Sequence, residues 1–340
     1  MKLKNDILIL LFFSIFLVVL GVFSLRVGTV NIDFSDILKL LKGNSVDSPS
    51  FSYIIEARLN RTLMAVLGGS ALAVSGLILQ VFFRNPLAGP GVLGISSGVT
   101  LGVALVVLGG FTLSTFLADV SLIIFGLFGA LLILFILMIV SKYIIHSVTL
   151  LIVGLMLSYF TSALVNALYH WSDLEQTRQF IVWGLGSFSA VKTEVIKFMI
   201  PFFILVYISL IFLIKPLNAL VLGEHYAKSM GINVKHTKAI IIIITSVLTS
   251  VVTVYCGPIA FIGIAVPQIS RQFINKSNKL TQSFQLKIPI TLLLGAIFAL
   301  LSDIILRGGG NTLPLNTVTS LIGAPIIIWT IIKMNRAVSH

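Results

Sequence analysis

Charge-free apolar runs succeed one another along the chain at 7–25, 62–83, 85–118, 120–141, 147–169, 198–214, 239–270, 288–302 and roughly 313–332. A helix that crosses a bilayer needs about 20 apolar residues. The run at 239–270 is too long for one helix, and Gly257 and Pro258 cut it in two. The run at 85–118 has length for one span plus loops. The pattern predicts an all-α polytopic membrane protein of about ten helices, both termini on one side, with residues 1–340 forming a single unit. The first run follows Lys2 and Lys4 as in a signal peptide, but it is too long and lacks a small-x-small site before Arg26, so it reads as a retained helix.

The polar segments between the runs are as informative as the runs. Residues 27–61 make a long loop in which 35–42 has the pattern of a short interfacial amphipathic helix. Residues 170–191 hold Trp171 and Trp183, and the charge-free part, 179–191, is too short to span and is expected to dip into the membrane. Residues 215–238 form the largest loop of the opposite face, and Gly308–Pro314 makes a turn before the last helix.

Two breaks interrupt apolar sequence outright. In 84–98, Asn85-Pro86 and Gly89-Pro90 stop a helix, because proline lacks an N–H and biases the preceding residue away from helical geometry. Irregular backbone at membrane depth survives only where protein or a water-filled cavity satisfies its polar groups, so the break points to a path through the bilayer. Gly257-Pro258 is the second, and Pro267 follows it. Each break is trailed by a Gly-Ile pair, Gly94-Ile95 and Gly263-Ile264, the trace that an inverted repeat would leave. A chance match of this length would look the same. Asn85, Pro86, Gly89, Pro90, Gly257, Pro258 and Pro267 are the candidates for pore or hinge positions.

Composition agrees with the pattern. The chain is 57% hydrophobic and 10% charged, with a mean hydropathy of +1.10, which excludes a soluble globular domain. A net charge of +12 would point to nucleic acid in a soluble protein. Here it has another origin, and no nucleic-acid partner is expected. With the N-terminus placed in the cytoplasm, fourteen bases and only Asp6 and Glu224 fall on that side, while nine bases balance nine acids on the other. The whole excess lies on one face, as the positive-inside rule requires.

Catalytic chemistry is not written in the chain. There is no phosphate-binding Gly-x-x-x-x-Gly-Lys-Ser/Thr sequence, no His-Glu-x-x-His and no Gly-x-Ser-x-Gly. The five histidines lie at helix ends, in loops or at the tail, and Cys256 is the lone cysteine, so neither a metal, a cofactor nor a disulfide is expected. Helix interiors lack carboxylates, and an ion-coupled carrier normally needs buried coupling groups. The pattern therefore favours energy from another subunit, with an ion-coupled carrier as the rival. Within 216–233, Gly223 and Gly231 are placed to end two short helical segments. Leu217, Leu220 and Leu222 form one apolar patch and Tyr226, Ala227 and Met230 another. The segment reads either as a pair of interfacial helices or as an apolar knob that docks on a cytoplasmic partner.

Four blocks in register carry a resemblance over nearly the whole chain. They are Arg58–Arg61 with Leu67–Gln80, Arg84–Gly98, Leu222–Gly231, and Gly257–Arg271 with Leu321–Pro325. Together they resemble the membrane permease subunits of ABC importers for iron–siderophore complexes, haem and vitamin B12, the FecCD type. The resemblance implies import of an iron chelate, with cobalamin as the alternative. It implies two cytoplasmic ABC ATPase subunits, a second permease copy or paralogue, and an extracytoplasmic substrate-binding protein, around a multi-pass subunit of the cytoplasmic membrane. On this likeness Leu222, Gly223, Glu224, Ala227, Ser229, Met230 and Gly231 couple to the ATPase, and Arg58, Arg61 and Arg307 meet acidic residues of the binding protein. Departures stand at Asn60, Gln268, Gly89 and Thr312, where the family commonly has proline, histidine, an acid and glutamate.

Overall fold

The computed structural model describes residues 2–28, 49–110, 118–140, 143–144, 147–273, 283–308 and 313–338. The expected amphipathic segment 35–42, and 309–312 of the Gly308–Pro314 turn, lie outside the described residues. Among those residues all regular structure is helical: α1 (Lys2–Arg26), α2 (Pro49–Phe82), α3 (Ile95–Val107), α4 (Ala118–Val140), α5 (Ser147–Trp171), α6 (Leu174–Gly184), α7 (Thr193–Leu222), α8 (Glu224–Ser229), α9 (Val234–Cys256), α10 (Ile262–Phe273), α11 (Phe284–Gly308) and α12 (Leu315–Val338).

Eight of these helices are long and apolar enough to cross a membrane: α1, α2, α4, α5, α7, α9, α11 and α12. The two other expected spans are α3, of 13 residues, and α10, of 12. At about 1.5 Å per residue each covers under about 20 Å, short of the roughly 30 Å hydrocarbon core. The chain that would have lengthened them is used by the breaks at 84–94 and 257–261. Each short helix is folded against protein. The expected boundaries shift elsewhere for one reason, that a charged residue at a membrane surface does not stop a helix. Thus α2 begins at Pro49 and carries Arg58 and Arg61, and α7 runs on through Pro216 to Leu222.

The hub is α2, whose spanning window is 83% buried. It packs against α11, α9, α10, α7 and α1, while α3 and α4 pair with each other beside α9. One hydrophobic cluster surrounds α2 and a second lies among α3, α4 and α5, with Phe82 and Tyr255 touching both. Small residues permit the closest approaches, since side-chain bulk is what separates helices in lipid. A Cβ on Gly76 of α2 would stand 1.7 Å from the carbonyl oxygen of Gly263 on α10. The outer helices turn Phe12, Phe128, Phe160 and Phe212 outwards, as lipid or a second chain would require.

Candidate functional site

The α8 end of the molecule is built on the last turn of α2 and the break that follows. Arg84 takes a positive φ of 46°, and the chain then closes on itself. Asn85 N–H donates to Gln80 O at 3.1 Å, Leu87 N–H to Asn85 Oδ1 at 2.8 Å, and Ile95 N–H to Pro90 O at 3.0 Å. Gln268 of α10 supplies what the backbone does not, donating from Nε2 to Pro86 O at 2.5 Å and to Gln80 Oε1 at 3.3 Å. Arg271 donates to the same Gln80 oxygen at 2.9 Å. Gly89 faces Ile264, and Pro90 lies on Gly263, so the first break and the helix after the second are in contact. Pro267 is buried within α10.

At this same end α7 stops at Gly223, where φ is 129°, and α8 follows for six residues before Gly231, where φ is 77°. Ala227 is wholly buried beneath α8, whereas Leu222, Tyr226 and Met230 are 65%, 49% and 59% exposed. Ser229 Oγ closes the turn on His225 O at 3.1 Å. Leu217 and Leu220, expected in a surface patch, are core residues because 216–222 continues α7. The apolar knob is therefore smaller than the pattern implied and comes from α8 and Leu222. It is tied down by Lys238 Nζ, 2.6 Å from Glu224 Oε1. That hydrogen bond, aided by the charges of Lys238, Arg84 and Lys228 against the effect of burial, holds the Glu224 carboxyl below its usual range.

About 30 Å of helix separates this end from the arginines at the start of α2. There Asp303 of α11 is the organiser. Arg61 Nε donates to Asp303 Oδ1 at 2.8 Å, and Arg307 Nη2 lies 2.9 Å from Oδ2. Arg307 also donates to the Ser24 and Val27 carbonyls, at 2.6 and 3.0 Å, and to Ser24 Oγ. Arg58 donates to Leu25 O and Arg26 O at 3.0 and 3.3 Å. These are the open carbonyls where α1 ends, so the two arginines act as its C-terminal cap. Arg58 and Arg307 are buried, and the Arg61 side chain is 12% exposed. The structure thus brings the three arginines together but turns them inward, clamping α1, α2 and α11.

The second break is closed by a residue to which the sequence drew no attention. Asn316, on the first turn of α12, accepts from Ala260 N–H at 3.0 Å through Oδ1 and donates through Nδ2 to the carbonyls of Pro258 and, at 3.3 Å, Gly184. Gly257 has φ 73°, with Trp183 O 2.2 Å from where a Cβ would stand. Trp183 Nε1 donates to Val254 O at 2.8 Å. The charge-free stretch 179–191 is thereby held against the end of α9, and a 550 Å³ cavity opens there, lined by Arg178, Trp183, Ser187, Tyr255 and Cys256 among others. Asn316, Gln80 and Asp303 are each a lone polar residue in or beside apolar sequence, and apart from the i,i+4 spacing of Asp303 and Arg307 no spacing relates them to their partners. Among the described residues no three His, Cys, Asp or Glu side chains stand together as metal ligands.

Among the described residues, eight helices long enough to cross a membrane, two satisfied breaks and a protruding short helix make this a polytopic membrane protein. The FecCD transport family model matches residues 16–333, and the chain belongs to that family, as a permease subunit of an ABC importer. It is 32% identical to the hemin transport system permease protein HmuU of Yersinia pestis over 97% of this chain and 96% of that one. It is also 32% identical to the molybdate import system permease protein MolB of Haemophilus influenzae, over 95% of each chain. The vitamin B12 import system permease protein BtuC of Klebsiella pneumoniae is 34% identical over 83% of this chain and 82% of its own length. The solved inward-facing structure of a metal-chelate type ABC transporter superimposes with a TM-score of 0.79 at 30% identity, covering 96% of this chain and 99% of that one. Membership implies ATPase and substrate-binding partners, so energy comes from another subunit and the ion-coupled reading falls.

Proposed function

We propose that the chain imports an iron chelate, a ferric siderophore or haem, across the cytoplasmic membrane. Both termini and the α8 end face the cytoplasm, where the excess of basic residues collects. The observation that carries this reading is the knob on α8. Three exposed apolar side chains, Leu222 at the end of α7, Tyr226 on α8 and Met230 just past it, anchored by buried Ala227 and the Glu224–Lys238 pair, form a rigid contact for an ATPase subunit. Two ATPases would drive two permease copies, this chain and a second copy or paralogue, with residues 1–340 acting as one unit. Closure of the ATPases would push on 216–233, and the breaks at Asn85–Pro90 and Gly257–Pro258, with Pro267 behind them, would serve as hinges around the pathway. A binding protein would dock at the opposite end, on a surface whose shape the Arg58, Arg61 and Arg307 cluster maintains, with Arg61 the most accessible of the three.

The haemin relative and the metal-chelate structural neighbour support iron chelates as cargo. Relatives of similar identity named for vitamin B12 and molybdate make cobalamin, or an oxyanion, the second reading. Uptake by cells expressing the complete system decides between them. The expected result is accumulation of radioactive iron from a siderophore or haem, abolished when the ATPase is catalytically inactivated. Accumulation of cobalamin or molybdate with no iron uptake would overturn the cargo assignment.

A further inference from the structure

Three cations line one 330 Å³ cavity at the α8 end: Arg84 after α2, Arg271 on α10 and Lys287 on α11. At Asp303 and Glu224 buried or half-buried basic side chains meet acids. Here, among the described residues, no carboxylate lines the cavity and none of the three makes an ion pair. Glu224 is within electrostatic reach of Arg84 but is engaged by Lys238 at 2.6 Å. Residues 274–282, which join α10 to α11, include no Asp or Glu.

The cations are nonetheless held in position. Arg271 is fixed at 2.9 Å by Gln80 Oε1, and Gln80 is fixed in turn by Gln268 at 3.3 Å. Lys287 Nζ sits 4.9 Å from the Phe284 ring centroid. A neutral amide and an aromatic face orient positive charge without cancelling it. The remaining wall is mostly apolar, with Leu77, Val81, Pro86 and Val221 beside Asn85, and Val221 is 54% exposed on the flank of α7. The cavity therefore joins a positive floor to an apolar surface of a spanning helix, at the end of the spans where headgroups lie.

We propose that this cavity binds a phosphate group, supplied by an anionic phospholipid whose acyl chains run along α7. Basic pockets between spanning helices select anionic headgroups, and each Lys or Arg near the membrane surface adds to the attraction. Bound lipid would brace α2, α7, α10 and α11 beside the segment that meets the ATPase.

The test uses the full purified chain in dodecylmaltoside micelles, titrated with phosphatidylglycerol, phosphatidylcholine or inorganic phosphate, with bound lipid read by native mass spectrometry and stability by thermal unfolding. Wild type should retain phosphatidylglycerol over phosphatidylcholine, and R271Q/K287Q should bind it about thirtyfold more weakly. K287R, which keeps the charge, should retain it. If phosphatidylglycerol shows no preference but inorganic phosphate stabilises wild type and not R271Q/K287Q, the phosphate site stands and its ligand is the free ion. The proposal is overturned if neither ligand distinguishes wild type from R271Q/K287Q. It is overturned equally if K287R loses as much as K287Q, since the defect is then one of packing. Loss of ATPase association in R271Q/K287Q without any anion effect would assign the cations to an acidic protein surface instead.

Discussion

Asp303 is a single carboxylate, 1% exposed, that answers two guanidiniums, and Arg58 stands close behind them. Removing one partner of a buried ion pair leaves the other uncompensated and costs about 3–5 kcal/mol. Asp303→Asn is therefore expected to lower thermal stability in detergent by about that much, while Glu175→Gln, whose ion pair with Arg178 is exposed and 3.8 Å long, should change little. The same cluster separates docking from folding. Arg61→Lys, which keeps a cation against Asp303, should hold near wild-type melting, and if it still weakens a binding protein, a partner carboxylate reads the Arg61 guanidinium. Equal loss of melting and uptake in Arg58→Glu and Arg307→Glu would show that these two act as caps of α1. The i,i+4 spacing of Asp303 and Arg307 on α11 declares that they meet, but nothing in the sequence declares that Arg61, 242 residues away, joins them.

At the scale of elements, α8 and the two breaks concentrate the consequences. Ala227 is buried beneath α8, so Ala227→Asp forces a charge under the knob, and Gly231→Pro blocks its φ of 77°. Both are expected to abolish co-purification of the ATPase and uptake while membrane insertion stays normal, and wild-type uptake in both would return α8 to a lipid-facing role. The Glu224–Lys238 pair adds a pH dependence. Its folded pKa lies below the ordinary 4.5, so the stabilisation is present above about pH 4.5 and is lost as pH falls through the folded value. Hydrogen exchange of α8 should accelerate over that acid range in wild type, and Glu224→Gln should remove the dependence. Between α2 and α10 the constraint is steric. Gly76→Val would drive side-chain carbon into the Gly263 carbonyl, and overpacking costs about 1–3 kcal/mol or more. Thermal unfolding reads that loss, and a wild-type melting temperature would mean that the two helices separate freely.

For the whole molecule, the ends that the charge pattern sorted apart are apart in the structure. Arg84, Glu224, Lys238, Arg271 and Lys287 gather around the α8 end, and Arg58, Arg61, Asp303 and Arg307 at the other. Which compartment each end faces is a matter for labelling. In a Cys256→Ser background, a cysteine at 173 should react with an impermeant thiol reagent from outside, and cysteines at 144 and 228 should not. The reverse pattern would overturn the cytoplasmic placement of α8. Cys256 itself is buried, so its removal creates little new exposure.

Apolar run length and the placement of Gly and Pro determined the helical membrane class, the two breaks, the end of α7 at Gly223 and the turn at Gly231, because these depend on neighbours in sequence. Local pattern also sorted the charges by end, since a basic residue is excluded from hydrocarbon wherever it falls in the chain. Tertiary structure alone decided that α3 is short and braced by α4, α5 and α9 and that α10 is short and braced by α2, that 216–222 extends α7 into the core, that Arg61 joins Arg307 on one carboxylate, and that Arg58 caps α1 beside them. It alone brought Asn316 to the second break and left Arg84, Arg271 and Lys287 around a shared cavity. These features depend on contacts between separate helices, as when Gln80 meets Arg271 or Arg61 meets Asp303, and one-dimensional pattern carries no record of which polar atom will lie opposite which.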